Sequence, residues 1–174
     1  MHVKLLSQLV NMNNINFLFV TLFGIGKLKK IPGSYASLVT TFFLFFIFHI
    51  LYFSPNIVLI ALIIIFFISL YAVNIFIKDL DNKDPKEVVI DEFIGQSIPI
   101  CLYEIAHDAD KDTSQVLTFY FIMFILFRIF DIAKPYPVNY YDKNFKNSFG
   151  VMMDDVCAGL YVVAVLVLYM VITT

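Results

Sequence analysis

The stretch Ile57-Val58-Leu59-Ile60-Ala61-Leu62-Ile63-Ile64-Ile65-Phe66-Phe67-Ile68-Ser69-Leu70-Tyr71-Ala72-Val73-Asn74-Ile75-Phe76-Ile77 decides the fold class, because it runs for 21 residues without a charge. An α-helix needs about 20 such residues to cross the ~30 Å hydrocarbon layer of a bilayer. Working outward, the preceding run Ala36 to Phe53 is a second candidate span, closed by Ser54-Pro55-Asn56. On the other side, the polar stretch Lys78 to Glu87 leads to a less apolar helix over about Val88 to Ala106. The acidic loop His107 to Asp112 then precedes a helix over about Gln115 to Ala133, which stops before Lys134-Pro135-Tyr136-Pro137. A connection rich in Asn, Tyr and Lys leads to a last run, Val151 to Ile172. The expectation is an all-α, polytopic membrane helical bundle of about five transmembrane or membrane-embedded helices.

The ends of the chain complete this reading. Residues 1–23 form an N-terminal interfacial segment: the first 14 are Asn-rich, and Ile15 to Phe23 is too short to span. A short helix lying in the interface or tucked against the bundle is expected there. Gly24 to Ser34 reads as a loop by its Gly, Pro and Lys content, and residues 24–174 form the membrane domain.

Composition agrees. Of 174 residues 60% are hydrophobic and 15% charged, with mean hydropathy +0.84, whereas soluble domains are roughly 25% charged. The net charge of −2 gives no basic footprint for nucleic acid. Cys101 and Cys157 stand alone in apolar surroundings, which excludes a zinc motif or disulfide framework and leaves two buried spectators. The segments 27–30, 78–86 and 134–146 carry three Lys each, whereas the two alternate connections carry only Lys111. Basic residues mark the cytoplasmic side, so all three Lys-rich segments are expected on the cytoplasmic face of the inner membrane. Lys29, Lys30, Lys83 and Lys86 are read as topology determinants. The sequence permits a homo-oligomer without requiring one.

Ionisable side chains in membrane helices are costly and therefore candidates for function. Asp91 and Glu92 open the third helix, Arg128 and Asp131 end the fourth with Lys134 just beyond, and Asp154 and Asp155 lie near the start of the fifth. Under the topology above, all seven fall at one cytoplasmic depth. Arg128, Asp131 and Lys134 recur every three residues and so share a helix face. The segments Val88-Val89-Ile90-Asp91-Glu92 and Val151-Met152-Met153-Asp154-Asp155 match in pattern, each with a glycine close behind, Gly95 and Gly159. Those glycines permit close helix approach, which would bring the acid pairs together.

Carboxylates gathered in one place repel unless a positive charge sits among them. Oxygen ligands suit Mg²⁺, which commonly takes one or two carboxylates plus water and substrate phosphate. Asp91, Glu92, Asp131, Asp154 and Asp155 are the candidate metal ligands and catalytic groups, some acting directly and some through water, with one of them open as a general base or nucleophile. Arg128 and Lys134 suggest an anionic substrate, since Arg presents a fork and Lys a point charge to phosphate. Lys27 and the backbone of Gly33 and Ser34 are candidate additional phosphate contacts. The bland readings are acids favoured by a helix dipole and an ordinary Arg128–Asp131 ion pair. Asp79-x-Asp81 follows no hydrophobic strand, and no His stands near the acids, so a phospho-aspartate pair at Asp79 and Asp81 and a phosphohistidine mechanism are both disfavoured.

Four segments resemble the phosphatidylglycerophosphatase A family. Asp84-Pro85-Lys86-Glu87-Val88-Val89-Ile90-Asp91-Glu92-Phe93-Ile94-Gly95-Gln96 is similar to its D-P-x-x-I-V-I-D-E-x-x-G segment. Phe127-Arg128-Ile129-Phe130-Asp131-Ile132-Ala133-Lys134-Pro135-Tyr136-Pro137 is similar to F-R-x-x-D-x-x-K-P-x-P. Gly150-Val151-Met152-Met153-Asp154-Asp155-Val156-Cys157-Ala158-Gly159 is similar to G-x-M-x-D-D-x-x-A-G, and Ile31 to Leu38 resembles P-G-T-x-G-S-L with Ser34 for Thr and Ala36 for Gly. The resemblance implies Mg²⁺-dependent hydrolysis of phosphatidylglycerophosphate, a lipid partner in the bilayer, to phosphatidylglycerol and phosphate. The alternative is a transporter or ion-coupled carrier, which would spread acids through the membrane depth and break helices in mid-span.

Overall fold

The computed structural model describes residues 14–107 and 112–173. Residues 14–20 are helical (α1), and six further α-helices follow: α2 (Pro32–His49), α3 (Pro55–Ile77), α4 (Ile90–Ala106), α5 (Thr113–Ala133), α6 (Val138–Asn144) and α7 (Ser148–Thr173). No strand occurs among the described residues. Four of the helices, α2, α3, α5 and α7, are long and apolar enough to cross a membrane. α4, at 17 residues, is the shortest of the main helices and the most enclosed: ten of its residues are buried, including Gln96 and Ser97. The long helices pack around it, with α4 and α7 in the most extensive contact.

Lipid-facing surface is written plainly on α3, where Ile57, Ile60, Ile63, Ile64, Phe67, Ile68 and Tyr71 are exposed while Leu62, Ser69, Ala72, Val73 and Ile77 turn inward. Exposed Ile and Phe in such numbers would be a liability in water and are ordinary against acyl chains. At the end of α3, the Lys83 ammonium donates to the carbonyls of Ile77 (3.0 Å) and Lys78 (2.9 Å), satisfying C-terminal acceptors that the helix itself leaves open.

Three boundaries differ from the sequence reading, each for a local reason. α2 begins at Pro32, four residues before the apolar run, because proline fits the first helical position. Pro32, Gly33 and Ser34 are therefore a first helical turn and not loop. α7 begins at Ser148, where Asn147 serves as a cap: its Oδ1 accepts the Gly150 N–H at 3.0 Å and its carbonyl the Val151 N–H at 3.2 Å. The segment expected as an irregular connection contains α6, seated on α7 by buried Val138 and by ring contacts of Tyr141 with Phe145 and Phe149.

Of the segment read as interfacial, residues 1–13 lie outside the described residues, and residues 14–23 are tucked against the bundle. Asn16 Nδ2 donates to the Ala72 carbonyl (3.1 Å), Phe17 meets Phe76, and fully buried Val20 accepts the Val89 N–H at 3.0 Å. This last bond ties the segment to the residue preceding α4.

The helices α4 and α7 cross at their glycines. A Cβ on Gly95 would lie 2.6 Å from the Asp155 carbonyl oxygen and 2.8 Å from Phe127 Cε2, and one on Gly159 would overlap the Gly95 carbonyl. Real Cβ atoms do not come that close, so the crossing exists only because both side chains are hydrogen. Asp91 and Glu92 precede one glycine by about a turn, Asp154 and Asp155 the other, and the crossing brings both pairs to the same end of the bundle.

The opposite end is held by a separate polar cluster. Glu104, in the last turn of α4, accepts from Tyr120 Oη on α5 (2.8 Å) and lies 3.2 Å from His49 Nε2 on α2. Tyr120 is 1% exposed, so removing its acceptor would strand a hydroxyl. Glu104→Ala should destabilise the protein by about 1–3 kcal/mol. Thermal unfolding in detergent micelles should show this as a lower midpoint, with turnover per folded molecule unchanged.

Candidate active site

Asp91 and Glu92 occupy the first turn of α4, where the helix dipole favours negative charge. Asp154 and Asp155 do not share that explanation, because they are the seventh and eighth residues of α7. Both pairs nevertheless adopt one local geometry: Asp91 Oδ1 accepts the Glu92 N–H, and Asp154 Oδ1 accepts the Asp155 N–H, each at 3.0 Å. In each pair one oxygen of the leading Asp turns back on the backbone N–H that follows it.

Asp91, Glu92 and Asp155 each bring a carboxylate oxygen to within 4.8 Å of the other two. Glu92 Oε2 and Asp155 Oδ1 are buried and have no hydrogen-bond partner among the described residues. A buried carboxylate oxygen without a donor is costly, and three carboxylates so close together repel. Both defects are cured by one hard cation, and an all-oxygen donor set is the kind Mg²⁺ accepts. The residues present therefore fit a divalent ion held by Asp91, Glu92 and Asp155.

Around this trio stand the counter-charges. Arg128 Nη1 lies 2.9 Å from Asp131 Oδ2 and 3.3 Å from Ser37 Oγ, which in turn donates to the Gly33 carbonyl at 2.9 Å. Asp131, one turn along α5, is also within electrostatic reach of Glu92 and Asp155. Lys134 caps α5 with a left-handed backbone (φ 44°) that turns the chain into Pro135. Its ammonium contacts Asp154 Oδ2 at 2.9 Å and Asp142 Oδ1 at 2.7 Å. Burial alone would lower the Lys134 pKa, but the bonds and charges of Asp142 and Asp154 outweigh it and hold the pKa above the usual lysine value.

The first turn of α2 closes the remaining side. A Cβ on Gly33 would overlap Glu92 Oε1 and come within 3.4 Å of Arg128 Nη1, so this glycine lets the helix N-terminus approach the acids. Free N–H groups at a helix start are a ready anion site. Ser34, partly buried, lies in the same turn. Lys27 is not brought to the acids: it is exposed, with its ammonium 4.4 Å from the Phe17 ring centroid.

The family model for phosphatidylglycerophosphatase A matches residues 18–170. The chain belongs to the phosphatidylglycerophosphatase A family. It is 32% identical over 162 residues to phosphatidylglycerophosphatase A of Haemophilus influenzae, covering 92% of this chain and 91% of that protein. The Escherichia coli protein of the same name is 28% identical over 160 residues, 91% of this chain and 86% of its own length. A Bacteroides thetaiotaomicron protein carrying the name "Putative phosphatidylinositol-3-phosphatase" is 35% identical over 141 residues, 80% of this chain and 83% of that protein. No solved structure matches the chain.

As a phosphatidylglycerophosphatase A family member the chain is a membrane phosphatase, and two residues of its site escape a reading of charge spacing. Ser37, fully buried, positions Arg128 from α2; its signal is the four-residue step from Gly33, which puts both on one helix face. Asp142 reaches Lys134 from α6; its only mark in the sequence is to be the sole acid between Pro137 and Asp154.

Proposed function

We propose that this family member hydrolyses the terminal phosphomonoester of phosphatidylglycerophosphate, giving phosphatidylglycerol and phosphate, with Mg²⁺ held by Asp91, Glu92 and Asp155. The observation that carries the reading is the three-carboxylate cluster with two buried, unpartnered oxygens, set beside an Arg and a Lys at the end of a membrane bundle. When bound, the ion would polarise the phosphoryl oxygens and lower the pKa of an attacking water. Asp131 and Asp154 complete the acidic shell: each is already paired to a cation, Arg128 or Lys134, and each would orient that cation or bind through water.

The chain's own groups supply the rest. Arg128, fixed by Asp131 and Ser37, offers its fork to the equatorial oxygens of the phosphoryl group, and Lys134 neutralises the charge that spreads over them during in-line displacement. The first-turn N–H groups of α2 near Gly33 and Ser34 add backbone donors. Phe127, Met152 and Ile94, each buried and within two residues of a charged site residue, would keep the core side of the site dry. The acyl chains stay in the bilayer while the headgroup reaches the charged end. Lys enrichment at that end, in segments 27–30, 78–86 and 134–146, supports a cytoplasmic face of the inner membrane. The carrier reading fares worse: between the site and Glu104 no Asp, Glu, Lys or Arg stands in the described helices.

The purified full chain is tested with phosphatidylglycerophosphate and with phosphatidylinositol 3-phosphate in mixed micelles, with Mg²⁺ or with chelator, by measuring released phosphate. Release from the first lipid, abolished by chelator and restored by Mg²⁺, is expected. Release from the inositol lipid alone would transfer the substrate to the chemistry named for the Bacteroides relative.

A further inference from the structure

We propose that Asp142 is a positioning residue for this reaction, holding the Lys134 ammonium at the rim of the acidic cluster so that its remaining N–H faces the substrate phosphate. The inference rests on the phosphatase reading above and goes beyond it in giving a role to a residue outside the cluster.

An ammonium has three donors and no acceptor. In Lys134 one donor points to Asp154 at 2.9 Å and one to Asp142 at 2.7 Å, from two different helices, α7 and α6. Two anchors fix the nitrogen in a way that one cannot, because a lysine stem is flexible and an ammonium carries no orientational preference of its own. Without Asp142 the ammonium would keep Asp154 as its one hydrogen-bonded carboxylate, with Asp84 in electrostatic reach, and its flexible stem would let it swing off the rim toward solvent. With Asp142 it is held between the cluster and the outside, with its side chain 29% exposed. The third N–H is then available where a phosphomonoester would arrive.

α6 has anchors other than the Asp142 carboxylate. That helix is held by buried Val138 and by the Tyr141, Phe145 and Phe149 rings, and its last turn receives the Lys146 ammonium on the Asp142 backbone carbonyl at 2.6 Å. The carboxylate itself is directed elsewhere. Asp142, Asp154, Asp84, Lys83 and Lys146 line, together with Phe145 and Val151, a partly open void of about 10 Å³ beside the bridge, room for about one water, so the tether is half-buried.

The test is a double-mutant cycle on the full chain in micelles, reading kcat and KM for phosphatidylglycerophosphate. Asp142→Ala is expected to lower kcat/KM about tenfold, and Lys134→Ala by more, with the double variant no worse than Lys134→Ala alone, since residues acting as a unit are non-additive. Asp142→Asn, which keeps an acceptor of the same shape, should retain more activity than Asp142→Ala. It replaces Asp142→Ala in the cycle should that variant fail to fold. Wild-type kcat/KM in the Asp142 variants, or a double variant that falls by the product of the two single losses, would overturn the proposal. A second readout needs no turnover: labelling of Lys134 by an amine-reactive reagent, followed by mass spectrometry, should rise in Asp142→Ala. Increased labelling in a protein inactive on this lipid would sink the substrate and keep the tether, whereas unchanged labelling would sink the tether.

Discussion

Asp91→Asn and Asp155→Asn should each reduce phosphate release at least about a thousandfold, while the protein still inserts and unfolds at or above the wild-type temperature without metal. The two halves of this result come from the same fact. Asp91, Glu92 and Asp155 crowd three carboxylate oxygens within 4.8 Å of one another. Asparagine keeps the shape of the side chain and removes one negative charge, so repulsion in the metal-free protein falls. The same change takes away a ligand and part of the charge that would hold a cation against a phosphate. A structural ion-pair network predicts the reverse, since deleting one member of a satisfied network costs stability. Parallel measurement of phosphate release and unfolding midpoint separates the two: loss of activity with unchanged or raised midpoint fits a functional cluster, and loss of both fits a scaffold.

Gly159→Ala should damage stability and activity together. Its new methyl would overlap the Gly95 carbonyl oxygen, a backbone atom that cannot rotate away, and would press on Ile98 Cβ at 3.4 Å. α4 and α7 must then separate or slide, at about 1–3 kcal/mol for an overpacked contact. Because Asp91, Glu92, Asp154 and Asp155 ride on the same two helices a turn away, the shift also spreads the acids. The expected readout is a lowered unfolding midpoint and at least about a tenfold loss of kcat/KM, since sub-ångström misplacement of charged groups is felt strongly in catalysis. Gly33→Ala provides the contrast. Its methyl would overlap the Glu92 carboxyl group, Oε1 and Cδ, and reach Arg128 Nη1 at 3.4 Å, all ends of side chains and none of them backbone, so the midpoint should hold while activity drops. If both alanine variants behaved alike, the glycine crossing would have no special role in building the site.

Much of this architecture is legible in the sequence. The long apolar runs gave the spans because hydrophobicity over about 20 residues is a bulk property that no tertiary contact reverses. Lys asymmetry and the depth of the ionisable residues gathered Asp91, Glu92, Arg128, Asp131, Lys134, Asp154 and Asp155 at one end, and the structure brings them there. The glycines Gly95 and Gly159 could be read as a close crossing because each follows its acid pair at a similar offset. Less was legible where a polar residue acts through another element. The capping role of Asn147 and the helix start at Pro32 were present in the sequence as local signals, but an apolar-run criterion places a helix where hydrophobicity begins, not where the cap lies. The helix α6 is short and rich in Tyr and Asn, so no periodicity announces it. Asp142 and Ser37 belong to the site only because α6 and α2 carry them to Lys134 and Arg128. Lys27 shows the converse: grouped with the phosphate contacts by its Gly-rich surroundings, it lies over Phe17, where a cation–π contact suits an exposed lysine beside a packed aromatic.

His49 and Glu104 make the same point at the other end. Each is a lone ionisable residue in an apolar run, and nothing in either run predicts the other as its partner. Packing of α2, α4 and α5 puts them 3.2 Å apart with the Tyr120 hydroxyl on the same oxygen.

Binding of Mn²⁺, an oxygen-seeking substitute for Mg²⁺, measured by electron paramagnetic resonance on the purified chain in lipid nanodiscs, tests the central claim most directly. One bound ion per wild-type chain is expected, displaced by excess Mg²⁺ and lost in the Asp91→Asn, Asp155→Asn double variant at unchanged fold. Equal Mn²⁺ binding by the wild type and the double variant would contradict it.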